Sequence, residues 1–332
     1  MVDFRYHLVS LISVFLALAL GVVLGAGPLQ APIASGLTNQ VQSLKESQAR
    51  TSEEIEQMRS SVTQRNQWID EVGRQVLPGT LKDKKVAFIT LPDTGPEDVD
   101  AIREYVEVAG GAVNQFATLS PNWASEDLAQ YRASLSGPVA THLAEQLPDD
   151  ASEAEVLSQA VLEIMTIQSE ETTLLREMLS ESENALLSFE QDQTQSDAII
   201  FIGPDQAVLP DVMEEETAPT EPVEVEAVEP SMWVALAGAV AKAPASGVVV
   251  GDASSADGIV ALVRDQGIAV TSIESVGTTM AHVSSVVALL SADNTARAFG
   301  TASTAMQIVP PLPNVENVAT STQTTTQEET GE

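Results

Sequence analysis

The spacing of hydrophobic and polar positions changes twice along the chain, and the three resulting stretches predict different structures. The first stretch is an uncharged, almost wholly apolar run from Leu8 to Ala26. At about 1.5 Å per residue, a helix of that length spans roughly 28 Å, enough for a bilayer core. Because Arg5 precedes the run and the next basic residue is Lys45, the positive-inside rule predicts a cytoplasmic N-terminus and an extracytoplasmic remainder. We therefore expect a single-pass cell-membrane anchor over residues 1–27.

A cleaved signal peptide is the alternative interpretation of this run. Two features disfavour it. Asp3 offsets the basic residue Arg5 and His7 before the run, and Pro28 follows the one small-x-small site, at residues 25–27. A proline in that position is a poor context for cleavage, so the anchor is the preferred prediction.

The second stretch is a heptad pattern that starts after helix-breaking residues between Gly27 and Gly36 and stops at Pro78. Its d positions are Leu37, Leu44, Thr51, Met58, Arg65 and Val72, and its a positions are Val41, Gln48, Ile55, Val62, Ile69 and Val76. Most are apolar and the residues between them are mostly polar, which predicts a coiled coil over residues 36–78. The β-branched a positions favour a parallel homodimer. One amphipathic helix folded back on the rest of the chain is the alternative.

A stripe of small residues in the apolar run bears on the same association. Ala17, Gly21 and Gly25 are four residues apart and share one face of a helix, so two anchors could approach closely there. Glycine and alanine are also common in membrane helices. The stripe therefore supports the homodimer only in combination with the heptads.

The third stretch, residues 84–312, alternates strand and helix signals. Strands are predicted at residues 86–91, 112–116, 199–202, 248–250 and 268–271, and helices from Pro96 to Gly110, near 259–263 and at 280–290. This alternation predicts an extracytoplasmic α/β domain with a Rossmann-like, mostly parallel sheet covered by helices on both faces. Inside it we expect a helical block at residues 152–189.

Two segments have compositions that predict disorder. Residues 211–230 carry eight carboxylates, several prolines and no basic residue, so they cannot bury enough apolar surface to order themselves. Residues 313–332 are rich in Thr, Gln and Glu. We expect a disordered acidic insertion and a disordered tail.

Composition then excludes several classes of function. Of the 332 residues, 15 are basic and 48 acidic, a formal charge of −33. After residue 150 there are only four basic against 29 acidic side chains, a net of −25. A surface this acidic repels phosphate backbones, so no nucleic-acid partner is expected. The absence of cysteine excludes disulfides, thiolate nucleophiles and cysteine zinc sites.

One loop, residues 251–258, is a candidate ligand site because it follows a predicted strand at the edge where open α/β sheets bind ligands. Asp252 and the hydroxyls of Ser254 and Ser255 could hold a hard cation. The preferred interpretation is different. Ser254, Ser255 and Asp257 are ordinary helix-capping residues, and a helix is predicted directly after them.

No other motif indicates catalysis, a cofactor or a defined metal site. No phosphate loop, dinucleotide fingerprint or nucleophile elbow follows a strand, and His7 and His142 have no motif around them. Met280 and His282 are two residues apart and so point to different faces of a helix. The methionines are scattered, which favours core packing over copper ligation, and they lie at positions 1, 58, 165, 178, 213, 232, 280 and 306. We expect a non-enzymatic protein without a cofactor, and metal ligands remain unassigned.

The N-terminal residues resemble the actinobacterial copper transporter family MctB. The resemblance is carried by Arg5, His7 and residues 10–11, 14–18 and 21–25, and continues in residues 85–90, 272–290 and 300–312. It implies an envelope protein with one N-terminal span, linked to copper tolerance or efflux, with copper ions as a partner. The family is also similar to SteB, a corynebacterial cell-separation protein. That similarity implies a non-catalytic coiled-coil scaffold with a cell-division or cell-wall protein as partner.

Overall fold

The computed structural model describes residues 4–26, 30–145, 147–148, 150–190, 194–205 and 228–313. The chain forms two compact units, residues 1–65 and residues 66–332. The first contains helix α1 (Phe4–Ala26) and most of helix α2 (Gln30–Val76). Over Arg5–Val23, α1 is long and apolar enough to cross a membrane, and none of that stretch is buried within the chain.

Helix α2 begins six residues before the predicted coiled coil and includes Pro32 and Gly36. Pro32 lies in the first turn, where its missing N–H would have had no partner inside the helix, so it does not interrupt the helix. Residues 27–29 of the predicted break lie outside the described residues. The apolar heptad side chains between residues 44 and 62 are exposed within the single chain, and their pairing with a second chain stays a prediction.

The second unit is built on a seven-stranded sheet. In chain order its strands are β1 (Lys85–Thr90), β2 (Ala112–Leu119), β3 (Leu187–Phe189), β4 (Ala198–Ile202), β5 (Ser246–Val250), β6 (Thr271–Ile273) and β7 (Arg297–Phe299). In space the order is β3-β2-β1-β4-β5-β6-β7, and every neighbouring pair is parallel except β2 with β3. The mostly parallel α/β sheet predicted from the strand–helix alternation is confirmed.

Helices cover both faces of this sheet. They are α3 (Pro96–Val108), α4 (Ala129–Ala140), α5 (Glu153–Thr166), α6 (Glu170–Ser180), α7 (Pro230–Val240), α8 (Ile259–Asp265) and α9 (Thr279–Leu289). Because side chains alternate across a strand, β1 contributes Ala87 and Ile89 to the core beneath α4–α8 and Val86 and Phe88 to the core beneath α3 and α9. Two separate apolar cores result.

The last turns of α2, residues 66–76, belong to the second unit and pack on α3 and α9. A Cβ on Gly73 would lie 3.0 Å from a methyl of Val283, so glycine permits this close approach. Asp70 accepts a hydrogen bond from the Tyr105 hydroxyl at 2.7 Å, and burial together with Asp70 raises the pKa of Tyr105. Ile69, a predicted seam residue, packs on the same core. The last turns of α2 therefore pack on the second unit, and the pairing of Ile69 with a second chain stays a prediction.

Several predicted boundaries were wrong. The strand expected at residues 268–271 is β6, three residues later, because Gly267 has a φ of +64° and the chain is still turning through Ile268 and Val270. The helical block expected at 152–189 is two helices, α5 and α6, each with its own capping box, at Ser152 and Ser169. It ends in the antiparallel edge strand β3. Helices α4 and α7 and strand β7 were not predicted.

Most of the predicted acidic insertion and tail lie outside the described residues, which omit 206–227 and 314–332. The end of the insertion is ordered, so the predicted boundary at residue 230 was too late. Val228 forms a β-bridge with Ser125, Glu229 pairs with Arg132, and Pro230 begins α7.

The packing of β5 against α7 gives a stability prediction. A Cβ on Gly247 would overlap the carbonyl oxygen of Val240, so Gly247→Ala should lower the free energy of unfolding by about 3 kcal/mol as the backbone moves. Gly238→Ala is the control: its Cβ would meet only Ile268, at 3.7 Å, and alanine is favoured over glycine in a helix by about 1 kcal/mol. Urea unfolding of the full chain measures both. Equal stability of the two variants would contradict this packing.

Candidate functional site

The carboxyl edge of the sheet holds the candidate loop at residues 251–258. Strands β2 and β3 lie on one side of β1, and strands β4 to β7 follow in order on its other side. The direction in which successive strands are added therefore reverses between β1 and β4. The crevice between β1 and β4, outside their carboxyl ends, is where such sheets bind ligands. Thr94 closes it from one side, because its hydroxyl donates to the carbonyl oxygens of Leu91 and Ile202 at 2.8 and 3.2 Å.

The side chains of Ile259 and Leu91 fill the neighbouring part of the crevice. A Cβ on Gly203 would lie 2.6 Å from the Cγ2 methyl of Ile259, and a Cβ on Gly251 would overlap the same methyl. The two glycines therefore admit the first residue of α8, and their lack of a side chain does not leave room for a phosphate. This agrees with the missing dinucleotide fingerprint in the sequence.

Asp252, the candidate cation ligand, is buried and organises its own loop. Its Oδ1 accepts the backbone N–H and hydroxyl of Ser254 at 2.8 and 2.6 Å, and its Oδ2 accepts those of Ser255 at 3.1 and 2.8 Å. Burial opposes ionisation of Asp252, but these hydrogen bonds outweigh it and lower its pKa. The carboxylate has little capacity left for a cation. The capping role predicted for Ser254 and Ser255 was wrong, since Gly258 is the N-cap of α8 and provides no side-chain cap.

The same edge carries a buried histidine–aspartate pair. His282 Nε2 lies 2.6 Å from Asp98 Oδ1, and the two side chains are 12% and 6% exposed. Asp98 lies in the first turn of α3, where a carboxylate is favoured by the helix dipole. The pair joins the starts of α3 and α9 and fixes the imidazole orientation.

A buried ion pair stabilises the far end of this edge. Arg264 of α8 lies 2.7 Å from Glu274, which follows β6, and also donates to the carbonyl oxygen of Phe299 at 2.9 Å. A Cβ on Gly300 would overlap the Glu274 side chain. Arg264 therefore connects α8, β6 and β7, and this pair has a structural role.

The soft and nitrogen ligands suited to copper are dispersed. Met165 and Met232 are buried in the core beneath α4–α8, whereas Met58 and Met306 are exposed. Met178 packs on that core, Met280 is partly exposed on α9, and Met1 and Met213 lie outside the described residues. Within the described part of the chain, no three His, Cys, Asp or Glu side chains are placed to hold a metal ion. A defined copper centre therefore has no support in these residues.

Sequence analysis missed the Asp98–His282 pair. The partners are 184 residues apart, and the local sequence around His282 offers only Met280 as a neighbouring ligand. Each lies on a helix that follows a parallel strand, which was visible in the sequence. That α3 and α9 cover the same face follows only from the strand order, which the sequence pattern left open.

Comparison with known proteins relates this architecture to a family. The family described as "Copper transport outer membrane protein, MctB" matches residues 1–310. The chain belongs to the MctB family. Proteins named copper transporter MctB from Mycobacterium bovis and Mycobacterium tuberculosis are 30% identical to it over 158 residues, 46% of this chain and 50% of each relative. The chain thus spans about half the length of the curated relatives it matches. The MctB resemblance inferred from the sequence is confirmed.

The Asp252 loop gives a pH-dependent prediction. Asp252→Asn should lower the free energy of unfolding at pH 7 by about 1–3 kcal/mol, because hydrogen bonds to a charged acceptor are lost. Since the pKa of Asp252 is lowered in the folded state, its contribution is present above the ordinary value of 3.8 and is lost as the pH falls below it. The difference between wild type and variant should therefore shrink in acid. Urea unfolding as a function of pH measures it.

Asp257→Asn, at an exposed position of the same loop, is the matched control and should have little effect at any pH. A difference between Asp252→Asn and wild type that stays constant into acid would contradict the role of the carboxylate.

Proposed function

We propose that this MctB-family member is an envelope protein of copper homeostasis, held in the cell membrane by α1. The family match over residues 1–310 is the observation that carries the proposal. The relatives are named copper transporters, and α1 has the length and composition of a membrane span. The role proposed for this chain is copper efflux.

The proposed topology places the N-terminus in the cytoplasm and the α/β unit outside. It rests on charge: Arg5 precedes α1, and the next basic residue, Lys45, lies well along α2. One span cannot enclose a conduction path, so transport requires an oligomer. The proposed oligomer is a parallel homodimer in which α2 pairs through its exposed heptad positions before residue 66.

The proposed copper contacts are weak and transient. Residues after 150 carry a net charge of −25, and a strongly acidic surface raises the local concentration of cations without a defined site. Carboxylate, histidine and methionine side chains suffice for such passage. The α/β unit is, in this proposal, a Rossmann-like fold in which Ile259 fills the space beside the crevice, at the ends of β4 and β5. It serves neither catalysis nor cofactor binding.

Single cysteines test topology and pairing together, because the chain has none of its own. Val62→Cys, at an a position, should form an intermolecular disulfide under mild oxidation. Ser60→Cys is the control and should cross-link far less, since an f position points away from the seam. In spheroplasts both thiols should react with a membrane-impermeant maleimide. Equal cross-linking of the two variants would contradict the proposed coiled-coil seam. Protection of both thiols from the maleimide until the cells are lysed would contradict the proposed topology.

The second candidate is a scaffold in cell separation, resembling SteB. It is favoured by a specific observation: the end of α2 is fixed to the α/β unit by Gly73 and by the Asp70–Tyr105 hydrogen bond. The exposed apolar positions of α2 before residue 66 are, in this second proposal, the surface that binds a partner. Its partner would be a second chain or a cell-wall protein.

A deletion strain distinguishes the two functions. Under the copper proposal the strain accumulates copper and becomes copper-sensitive while its cells separate normally, and the full chain restores tolerance. Intracellular copper and the length of cell chains are measured in parallel. Chained cells with normal copper tolerance, rescued only by versions retaining residues 36–77, would overturn the copper proposal in favour of the scaffold.

A further inference from the structure

The terminal segment of α2, residues 66–76, continues the heptad pattern that precedes it. Its seam positions are Ile69, Val72 and Val76, and the heptad frame runs into them without an insertion. All three are half-buried within the chain, whereas Met58 and Val62 in the preceding heptads are 65% and 50% exposed. The apolar face of α2 is therefore exposed before residue 66 and partly covered after it.

The contact that covers this face depends on Gly73. A Cβ at that position would lie 3.0 and 3.3 Å from the two methyl groups of Val283 and 3.6 Å from the Tyr105 ring. Glycine is unfavourable inside a helix. Residue 73 is an e position of the heptad, where a coiled coil does not require glycine. Glycine at this position therefore favours docking of the helix on the chain's own α/β unit.

The polar groups around this contact contribute less than its apolar part. Tyr105 donates to Asp70 at 2.7 Å, and Arg74 pairs with Asp70 and Glu104. These charged side chains are 36–56% exposed, and ion pairs in contact with water stabilise a structure only slightly. The docked position therefore depends mainly on Gly73 and on Leu77, which follows α2 directly and is fully buried.

Arg65 divides the apolar face into two parts. It occupies a d position between Val62 and Ile69, and a charge buried between two paired helices is costly. Pairing of the heptads before Arg65 therefore does not by itself draw the terminal segment into the seam. The three apolar positions beyond Arg65 nevertheless have the spacing that pairs with an identical helix.

We propose that the terminal segment of α2 has two states. In the docked state, which the structure shows, it packs on α3 and α9. In the released state it pairs with the same segment of a second copy of this chain, and the seam extends from Val62 to Val76. Release opens one side of α3 and α9 to water, so the docked state is favoured and limits the length of the seam. This inference rests on the homodimer of the proposed function.

Two single-cysteine variants of the full chain in detergent micelles distinguish the states. Val62→Cys lies before the terminal segment and should form an intermolecular disulfide under mild oxidation. Val72→Cys lies within the segment and should cross-link about 10-fold less, because the docked segment does not face a second chain. The fraction of covalent dimer measures both.

Gly73→Gln should release the segment. Its side chain would overlap Val283 in the docked state, but an e position lies beside the seam in the released state. Cross-linking of Val72→Cys should therefore rise about 10-fold, and that of Val62→Cys should not change. Gly137→Gln, on the exposed surface of α4 with no atom within 4 Å of its Cβ, is the matched control. It should change neither.

Tyr105→Phe is a milder variant that keeps the ring and removes only the hydrogen bond to Asp70. It should raise cross-linking of Val72→Cys about 3-fold. Urea unfolding checks that each variant is folded.

Two results would overturn the inference and leave the homodimer in place. They are equal cross-linking of Val62→Cys and Val72→Cys in the otherwise unchanged chain, and unchanged cross-linking of Val72→Cys in folded Gly73→Gln and Tyr105→Phe variants. Absence of cross-linking at Val62→Cys would overturn the homodimer and this inference together. The copper role is tested separately by the deletion strain.

Discussion

The burial of the three central strands on both faces is the constraint on which the rest of the second unit depends. Phe88 of β1, Phe201 of β4 and Val249 of β5 are fully buried, so each face of the sheet must be covered. One face is covered by α3, α9 and the end of α2, and the other by α4–α8. The docking of α2 is therefore part of closing the core, because without it one side of α3 and α9 would lie open to water.

This constraint also explains which parts of the fold were readable in the sequence. A strand buried on both faces is a continuous apolar run, and β1, β4 and β5 were predicted from such runs almost to the residue. The edge strands β3 and β7 have three residues each and no pattern of their own. Helix α7 follows the acidic segment directly and is apolar on nearly all sides, so its sequence does not show the periodicity of an amphipathic helix.

The polar groups were harder to predict because their partners are distant in sequence. Arg132 of α4 is fully buried and donates a hydrogen bond to Glu229, 97 residues away. Asp98 of α3 pairs with His282 of α9, and the two helices cover the same face of the sheet. No local spacing encodes such pairs. Asp252 could be located from its position after a strand. Its use as an acceptor for its own loop depended on backbone geometry that the sequence pattern does not specify.

Ile259 has a mechanical consequence. Its methyl group sits against two glycines on adjacent strands, one after β4 and one after β5. A helix rises about 1.5 Å per residue, so a shift of α8 by even one residue toward the two glycines would bring this methyl against their main-chain atoms. Since a packed interior resists such overlap, the Ile259 side chain fixes the position of α8 relative to the ends of β4 and β5. A displacement of α8 that carries Ile259 toward the two glycines is therefore costly, whereas one that lifts the helix off the sheet does not meet this barrier.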